Sequence, residues 1–136
     1  MKLHFEIITP EKTVFSEEID SLTLPTDEGE ITVLAGHIPL VATTKPGEIT
    51  IKNNGKTHHM AVMRGLVETN ENKIKLLADA AELADEIDER RAEEAVKRAE
   101  QAREKAQTGV EFAEATGALE RALTRIKIVR KHRRHV

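Results

Sequence analysis

The chain of 136 residues contains no cysteine, tryptophan or tyrosine, and only three phenylalanines. Without cysteine it has no disulfide, no thiolate zinc site and no cysteine nucleophile, and it suits a reducing compartment. Without tryptophan or tyrosine it lacks platforms for stacking bases, which argues against a nucleic-acid reader. No apolar run approaches membrane-spanning length, and Met1-Lys2-Leu3-His4-Phe5-Glu6 lacks the apolar core of a signal peptide. These absences point to a soluble, cytoplasmic protein that reaches a membrane only through partners. Catalytic patterns are missing as well. No serine combines with a histidine and an acid in a nucleophile motif, and none of His4, His37, His58, His59, His132 and His135 forms a helical i, i+4 pair with a carboxylate nearby. No catalytic residue and no metal ligand is expected.

What is present divides the chain in two. Residues 1–84 carry short β-branched segments: Leu3 to Ile8, Ile19 to Leu24, Ile31 to Leu34, Ile49 to Ile51, His59 to Met63 and Lys73 to Leu77. Turn residues punctuate them at Thr9-Pro10, Pro25, Gly29, Gly36, Pro39, Pro46-Gly47, Asn53-Asn54-Gly55, Gly65 and Asn70. Strands this short and dense predict an antiparallel β-sandwich or flattened barrel. Gly55-Lys56-Thr57 has the look of a phosphate-loop end. The motif needs a glycine five residues earlier, where Thr50 stands, so Asn53-Asn54-Gly55 reads as a hairpin turn.

After Asp79 the period changes to helical. Ala92, Ala95, Ala99, Ala102 and Ala106 recur at steps of three and four, and so do Phe112, Ala115, Leu119, Ala122, Ile126 and Val129. Two such seams joined by the short connector Gln107-Thr108-Gly109-Val110 predict an antiparallel helical hairpin over residues 85–136. The fold expected is therefore α+β, a sandwich followed by a two-helix hairpin. The first seam is all alanine. At roughly 25 cal/mol per Å² it gains little from burial, and a hairpin that closes weakly also opens.

Charge is distributed unevenly along these parts. Residues 1–84 hold 8 Lys/Arg against 13 Asp/Glu, residues 85–120 hold 6 against 11, and residues 121–136 hold 7 with no acid. That last stretch continues an apolar face through Ile126 and Val129, so it reads as a basic amphipathic helix suited to a groove lined with acids. Within the hairpin, heptad lettering puts Arg91 and Arg98 on one flank of the first helix and Arg121 and Arg125 on the same flank of the second. Matching the seams brings Arg91 beside Arg125 and Arg98 beside Arg121. Cation facing cation has the wrong sign for a closed hairpin. Either acids such as Glu94 fold across, or the guanidinium groups splay into water, or four forks capable of paired hydrogen bonds clamp a polyanion. Asp88 is a good N-cap, and the positive end of that helix would help to hold an anion.

These residues resemble the epsilon subunits of bacterial F-type ATP synthases over the whole chain. Gly29-Glu30-Ile31-Thr32-Val33-Leu34-Ala35-Gly36-His37-Ile38-Pro39-Leu40 with Lys45-Pro46-Gly47 is similar to that family's N-domain segment. Ile87-Asp88-Glu89-Arg90-Arg91-Ala92 is similar to the Ile/Leu-Asp-x-x-Arg-Ala motif of subunits whose hairpin binds ATP. The resemblance implies a sandwich on the gamma subunit and the c-ring, with Glu30 in the c-ring contact region and His37 in the neighbouring turn. It implies Ile87, Asp88 and Ala92 around an adenine and Arg91, Arg121 and Arg125 on the phosphates, with Glu82 and Arg98 as additions. ATP would be a regulatory ligand, not a required cofactor.

The mechanism implied is a two-state one. With ATP bound, the hairpin folds back on the sandwich. Without it, repulsion helps the hairpin open, and the basic helix extends along gamma to engage acidic segments of the alpha and beta subunits and block hydrolysis. The protein would sit peripherally at the cytoplasmic face of a bacterial cell membrane and would bind no nucleic acid. Two alternatives remain at this point: a mechanical rotor subunit whose helices inhibit without sensing, and a basic-helix module that docks on nucleic acid or an anionic membrane.

Overall fold

The computed structural model describes residues 1–37 and 39–133. Ile38 of the N-domain segment and residues 134–136 of the basic tail, His135 among them, lie outside the described residues. The polypeptide divides into two units, residues 1–83 and 84–136.

The first unit is a β-sandwich of ten strands: β1 (Leu3–Ile8), β2 (Thr13–Ile19), β3 (Ser21–Thr26), β4 (Gly29–Leu34), β5 (Leu40–Thr44), β6 (Gly47–Asn53), β7 (Lys56–Val62), β8 (Gly65–Asn70), β9 (Lys73–Ala78) and β10 (Ala81–Leu83). Their order is β10-β7-β6-β3-β5-β8-β9-β1-β2, with β4 added on β3. Only β1 and β9 run parallel among the pairs described; the rest are antiparallel. Period-2 alternation decides what is inside. In β9, Ile74, Leu76 and Ala78 are buried while Lys73, Lys75 and Leu77 are exposed. Phe5, Ile7, Ile19, Leu22, Leu24, Val33, Ile49, Ile51, Val62 and Val67 complete a core from which solvent is excluded.

Two hairpins turn on left-handed residues. Asn54 and Gly55 take φ of 51° and 77° between β6 and β7, the two positive values a tight I′ turn requires. The Gly55-Lys56-Thr57 segment is accordingly a hairpin and not a phosphate loop. Glu71 and Asn72, at 47° and 64°, do the same between β8 and β9.

The second unit starts with a 3-10 turn (Ala84–Glu86) and continues as α1 (Glu89–Lys105) and α2 (Gly109–Arg133), with α2 packed on both α1 and the turn. The helical period does not begin straight after Asp79, because β10 first pairs Ala81, Glu82 and Leu83 with Val62, Ala61 and Met60. The connector is also shorter than the sequence suggests. Thr108 caps α2 by accepting the Glu111 N–H at 3.0 Å, and the Glu111 carboxylate accepts the Gln107 N–H at 2.9 Å. This reciprocal cap starts the helix at Gly109 and moves Val110 into it.

The seam holds at its centre and fails at its ends. Ala92, Ala99, Ala115, Leu119, Ala122 and Ile126 are buried. Ala102 is exposed, and Phe112 is 51% exposed. Next to the connector the Phe112 ring instead lies under the Arg103 guanidinium, 5.9 Å from its centroid. Beyond Ile126 the buried residue is Ile128, and Val129 is half-buried.

Candidate functional site

Asp88 sets the start of α1. At the cap it takes φ −86° and ψ 108°, and its Oδ1 accepts the Arg91 N–H at 3.1 Å. Its carbonyl accepts the Ala92 N–H at 3.0 Å. Ile87 just before it and Ala92 just after are both buried, so Asp88 alone of the three offers an exposed polar edge.

Arg91 and Arg98 lie on α1 beyond that cap, and Arg121 and Arg125 lie on α2. Arg91, Arg98 and Arg121 are exposed, and Arg125 is half-buried. Buried Ala92 and Ile126 mark the directions in which the two helices face each other. At about 100° per residue, Arg91 and Arg98 stand some 100–120° to one side of Ala92, and Arg125 and Arg121 about 100–140° to the same-handed side of Ile126. Antiparallel helices bring same-handed sides onto a shared edge, so the register sets the four arginine positions on one side of the hairpin. Among the described residues no carboxylate pairs with Arg91, Arg98 or Arg121. Glu94, the acid nearest in sequence, is taken at 3.6 Å by Arg90, one turn back on its own helix. Glycine at 117 leaves room for Arg121, whose Nη1 lies 3.4 Å from where a Cβ would stand. Glu82 lies elsewhere in the chain, half-buried on β10 opposite Ala61.

The opposite flank of the hairpin is different. Arg130 Nε donates to Glu89 Oε2 at 3.1 Å and its Nη2 donates to Glu93 Oε1 at 2.8 Å. The hydrogen bond to Glu89, then that to Glu93, raises the Arg130 pKa above the ordinary arginine value. Sequence reasoning placed Arg130 in a docking tail and missed this pairing. The signal was available: the register that sets Ala92 against Ile126 sets Glu89 against the next turn of α2.

In the sandwich, Glu30 and His37 do not share a patch. Glu30 is exposed on β4 opposite Pro25, beside the turn at Asp27-Glu28 where Thr26 Oγ1 accepts the Glu28 N–H at 3.2 Å. His37 follows the other end of β4, in a turn closed by its N–H on Leu34 O at 3.1 Å and held by Gly36 N–H on Asn72 Oδ1 at 2.7 Å. Four residue steps of β4 put roughly 13 Å between Glu30 and Leu34, and the His37 turn closes on that far end. A feature not evident from the sequence lies on the outer sheet face. Pairing of Leu66 with Leu77, and of Leu77 with Ile8, lines up an apolar row across β8, β9 and β1. Leu66 and Leu77 are 40% and 45% exposed, and Val41 on β5 is 65% exposed. A cleft of about 290 Å³ lined by Ile8, Thr9, Pro10, Leu77, Ala78 and Asp79 adjoins the row. Alternation hides such a row, because Leu76-Leu77 reads as one apolar run until the register shows that only Leu76 faces in.

Comparison with known proteins follows the same division. The family described as "ATP synthase, Delta/Epsilon chain, beta-sandwich domain" matches residues 2–84, and "ATP synthase, Delta/Epsilon chain, long alpha-helix domain" matches residues 85–130. The chain is 44% identical over 126 residues to a protein named ATP synthase epsilon chain from Nitratidesulfovibrio vulgaris (strain DP4), covering 93% of this chain and 94% of that one. It is 41% identical over 133 residues to the ATP synthase epsilon chain of Herpetosiphon aurantiacus, covering 98% of each. A chain in the cryo-EM structure of Euglena gracilis mitochondrial ATP synthase (OSCP/F1/c-ring, rotational state 1) superposes with a TM-score of 0.76 over 90% of this chain and 78% of that one. At 21% identity, that is a likeness of fold.

Proposed function

Since this chain belongs to the ATP synthase delta/epsilon chain family, we propose that its hairpin is a nucleotide sensor on a central-stalk subunit that does no catalysis itself. The chain is an epsilon subunit of an F-type ATP synthase central stalk. Among the described residues no helix is long and apolar enough to cross a membrane, so its place at the cytoplasmic face of the membrane would come through the complex.

One observation carries the sensing role: among the described residues, exposed Arg91, Arg98 and Arg121 have no carboxylate partner, and the helical register sets them on one side with Arg125. The exposed cations Arg91, Arg98 and Arg121 on one side favour opening, and a triphosphate held between them and Arg125 removes that repulsion while gaining charge-assisted hydrogen bonds. Only the closed hairpin assembles all four positions, so ATP has the differential affinity that shifts the balance toward closure. Asp88, next to Ile87 and Ala92, offers an acceptor at the adenine end. Without ATP the opened α2, with its Lys and Arg residues, would engage acidic segments of the alpha and beta subunits and block hydrolysis.

The sandwich supplies the docking. The apolar row of Ile8, Leu66 and Leu77, with Val41, is the surface for gamma, because an exposed row of this extent on a sheet face is covered in an assembled state. The Glu30 end would meet the c-ring, and the His37 turn at the other end of β4 would lie toward gamma.

Titrating the full-length protein with ATP tests the sensor. Each charge-assisted hydrogen bond is worth about 1.5–3 kcal/mol, so Arg121→Ala with Arg125→Ala lowers affinity at least roughly a hundredfold while the sandwich stays folded. Wild-type protein that neither binds ATP nor compacts would leave a mechanical rotor subunit. For the docking face, Leu66→Glu with Leu77→Glu should fold normally and fail to co-purify with gamma.

A further inference from the structure

We propose that Arg130 is a ligand-independent clasp that holds the open end of the hairpin shut through Glu89 and Glu93. The two helices are tied covalently only at residues 106–108, so any opening starts at the far end, where α1 begins and α2 finishes. Arg130 bridges that end, 41 and 37 residues along the chain from its two acceptors. Its fork spans carboxylates at i and i+4 of α1, which would repel each other without a cation between them. Ala122 and Ile126, buried at four-residue steps before it, fix the helical phase that points Arg130 at α1.

The clasp is geometrically separate from the arginine edge. Relative to Ala92, Glu89 and Glu93 stand about 60° and 100° toward the side opposite Arg91 and Arg98. Relative to Ile126, Arg130 stands about 40° toward that same side, away from Arg125 and Arg121. An anion bound on the arginine edge therefore need not compete with the clasp. One flank pushes the helices apart until a polyanion arrives. The other pulls them together at all times, more weakly as salt rises. The hairpin's resting balance is set by this clasp, and the ligand adjusts it.

The chain has no native cysteine, which allows spin labels on Gln101→Cys and Lys127→Cys in the full-length protein. Distances are measured without any nucleotide, so the outcome does not depend on ATP binding. Arg130→Gln should raise the open-to-closed ratio roughly two- to tenfold, the range expected for exposed ion pairs. Glu89→Gln with Glu93→Gln should produce a similar rise, and adding Arg130→Gln to that pair should change little further, because the three groups form one unit. An unchanged distance distribution in Arg130→Gln would overturn the clasp. So would effects of the two variants that simply add.

Discussion

The sandwich and the hairpin close their interiors with different materials. In the sandwich the facing residues are Phe5, Leu22, Leu24, Ile49, Ile51 and their neighbours, all with essentially no exposure. In the hairpin four of the six central seam residues are alanine: Ala92, Ala99, Ala115 and Ala122. Buried apolar area stabilises at roughly 25 cal/mol per Å², so a seam of methyl groups gains far less per residue than a core of branched side chains. The hairpin then leans on what is not apolar: a reciprocal cap at its turn and ion pairs at its open end. A unit held by packing resists change, and one balanced between charges responds to them.

The largest effect should come from the sandwich. Phe5 is fully buried with its ring 5.5 Å from that of Phe15, and Phe5→Ala should lower unfolding stability by about 3–5 kcal/mol, read as a large fall in the urea midpoint. If the loss were under about 1 kcal/mol, the contrast between the two interiors would collapse.

Next comes a backbone contact. A Cβ on Gly65 would meet Leu77 O at 2.3 Å and the Ala78 Cα at 2.9 Å, main-chain atoms that cannot swing aside. Gly65→Ala should therefore cost about 1–3 kcal/mol and weaken the β8–β9 pairing beside the apolar row. A variant as stable as wild type would show that this end of the β8–β9 ladder yields as readily as the hairpin does.

The hairpin's counterpart is Ala99→Gly. It removes one methyl group from the seam and adds backbone freedom mid-helix, for roughly 0.5–1 kcal/mol. The loss should appear as faster proteolysis within residues 84–133, while the sandwich melts as before. Destabilisation of several kcal/mol there would mean the seam is not thin.

Much of this contrast was legible in the residues, for reasons that differ by region. The hairpin followed from spacing alone, since three- and four-residue steps admit one helical face. The Asn54-Gly55 turn was legible because few dipeptides accept positive φ twice. Strands β2, β5, β8 and β10 were not. Thr13–Ile19 is an edge strand with half-exposed Val14 and Phe15, and Leu40–Thr44 and Gly65–Asn70 each show an exposed apolar residue that breaks the alternation. Phe112 misled because a phenylalanine in register looks like core, whereas its ring is half exposed and lies against the Arg103 guanidinium. The Arg130 pairing was hidden by composition: a basic tail invites a distant acidic partner before a nearby one.

The smallest effect is one of pH, and it separates the units again. Asp20 receives a hydrogen bond from Lys2 Nζ, 2.8 Å away, and one from the Asn54 N–H at 2.8 Å. These, the lysine first, hold its pKa below the ordinary carboxylate value. Because the folded pKa is depressed, the contribution is present above the unfolded value of about 3.9 and is lost as pH falls through the folded one. The gap in urea midpoint between wild type and Asp20→Asn should therefore narrow between pH 6 and pH 3, and a constant gap would assign the contact no electrostatic part. The effect stays small because Lys2 Nζ also donates to the side-chain oxygens of Asn53 and Asn54. With those amides still in place, the β6–β7 turn keeps its anchor when the carboxylate is neutralised, so acid loosens this corner without releasing it.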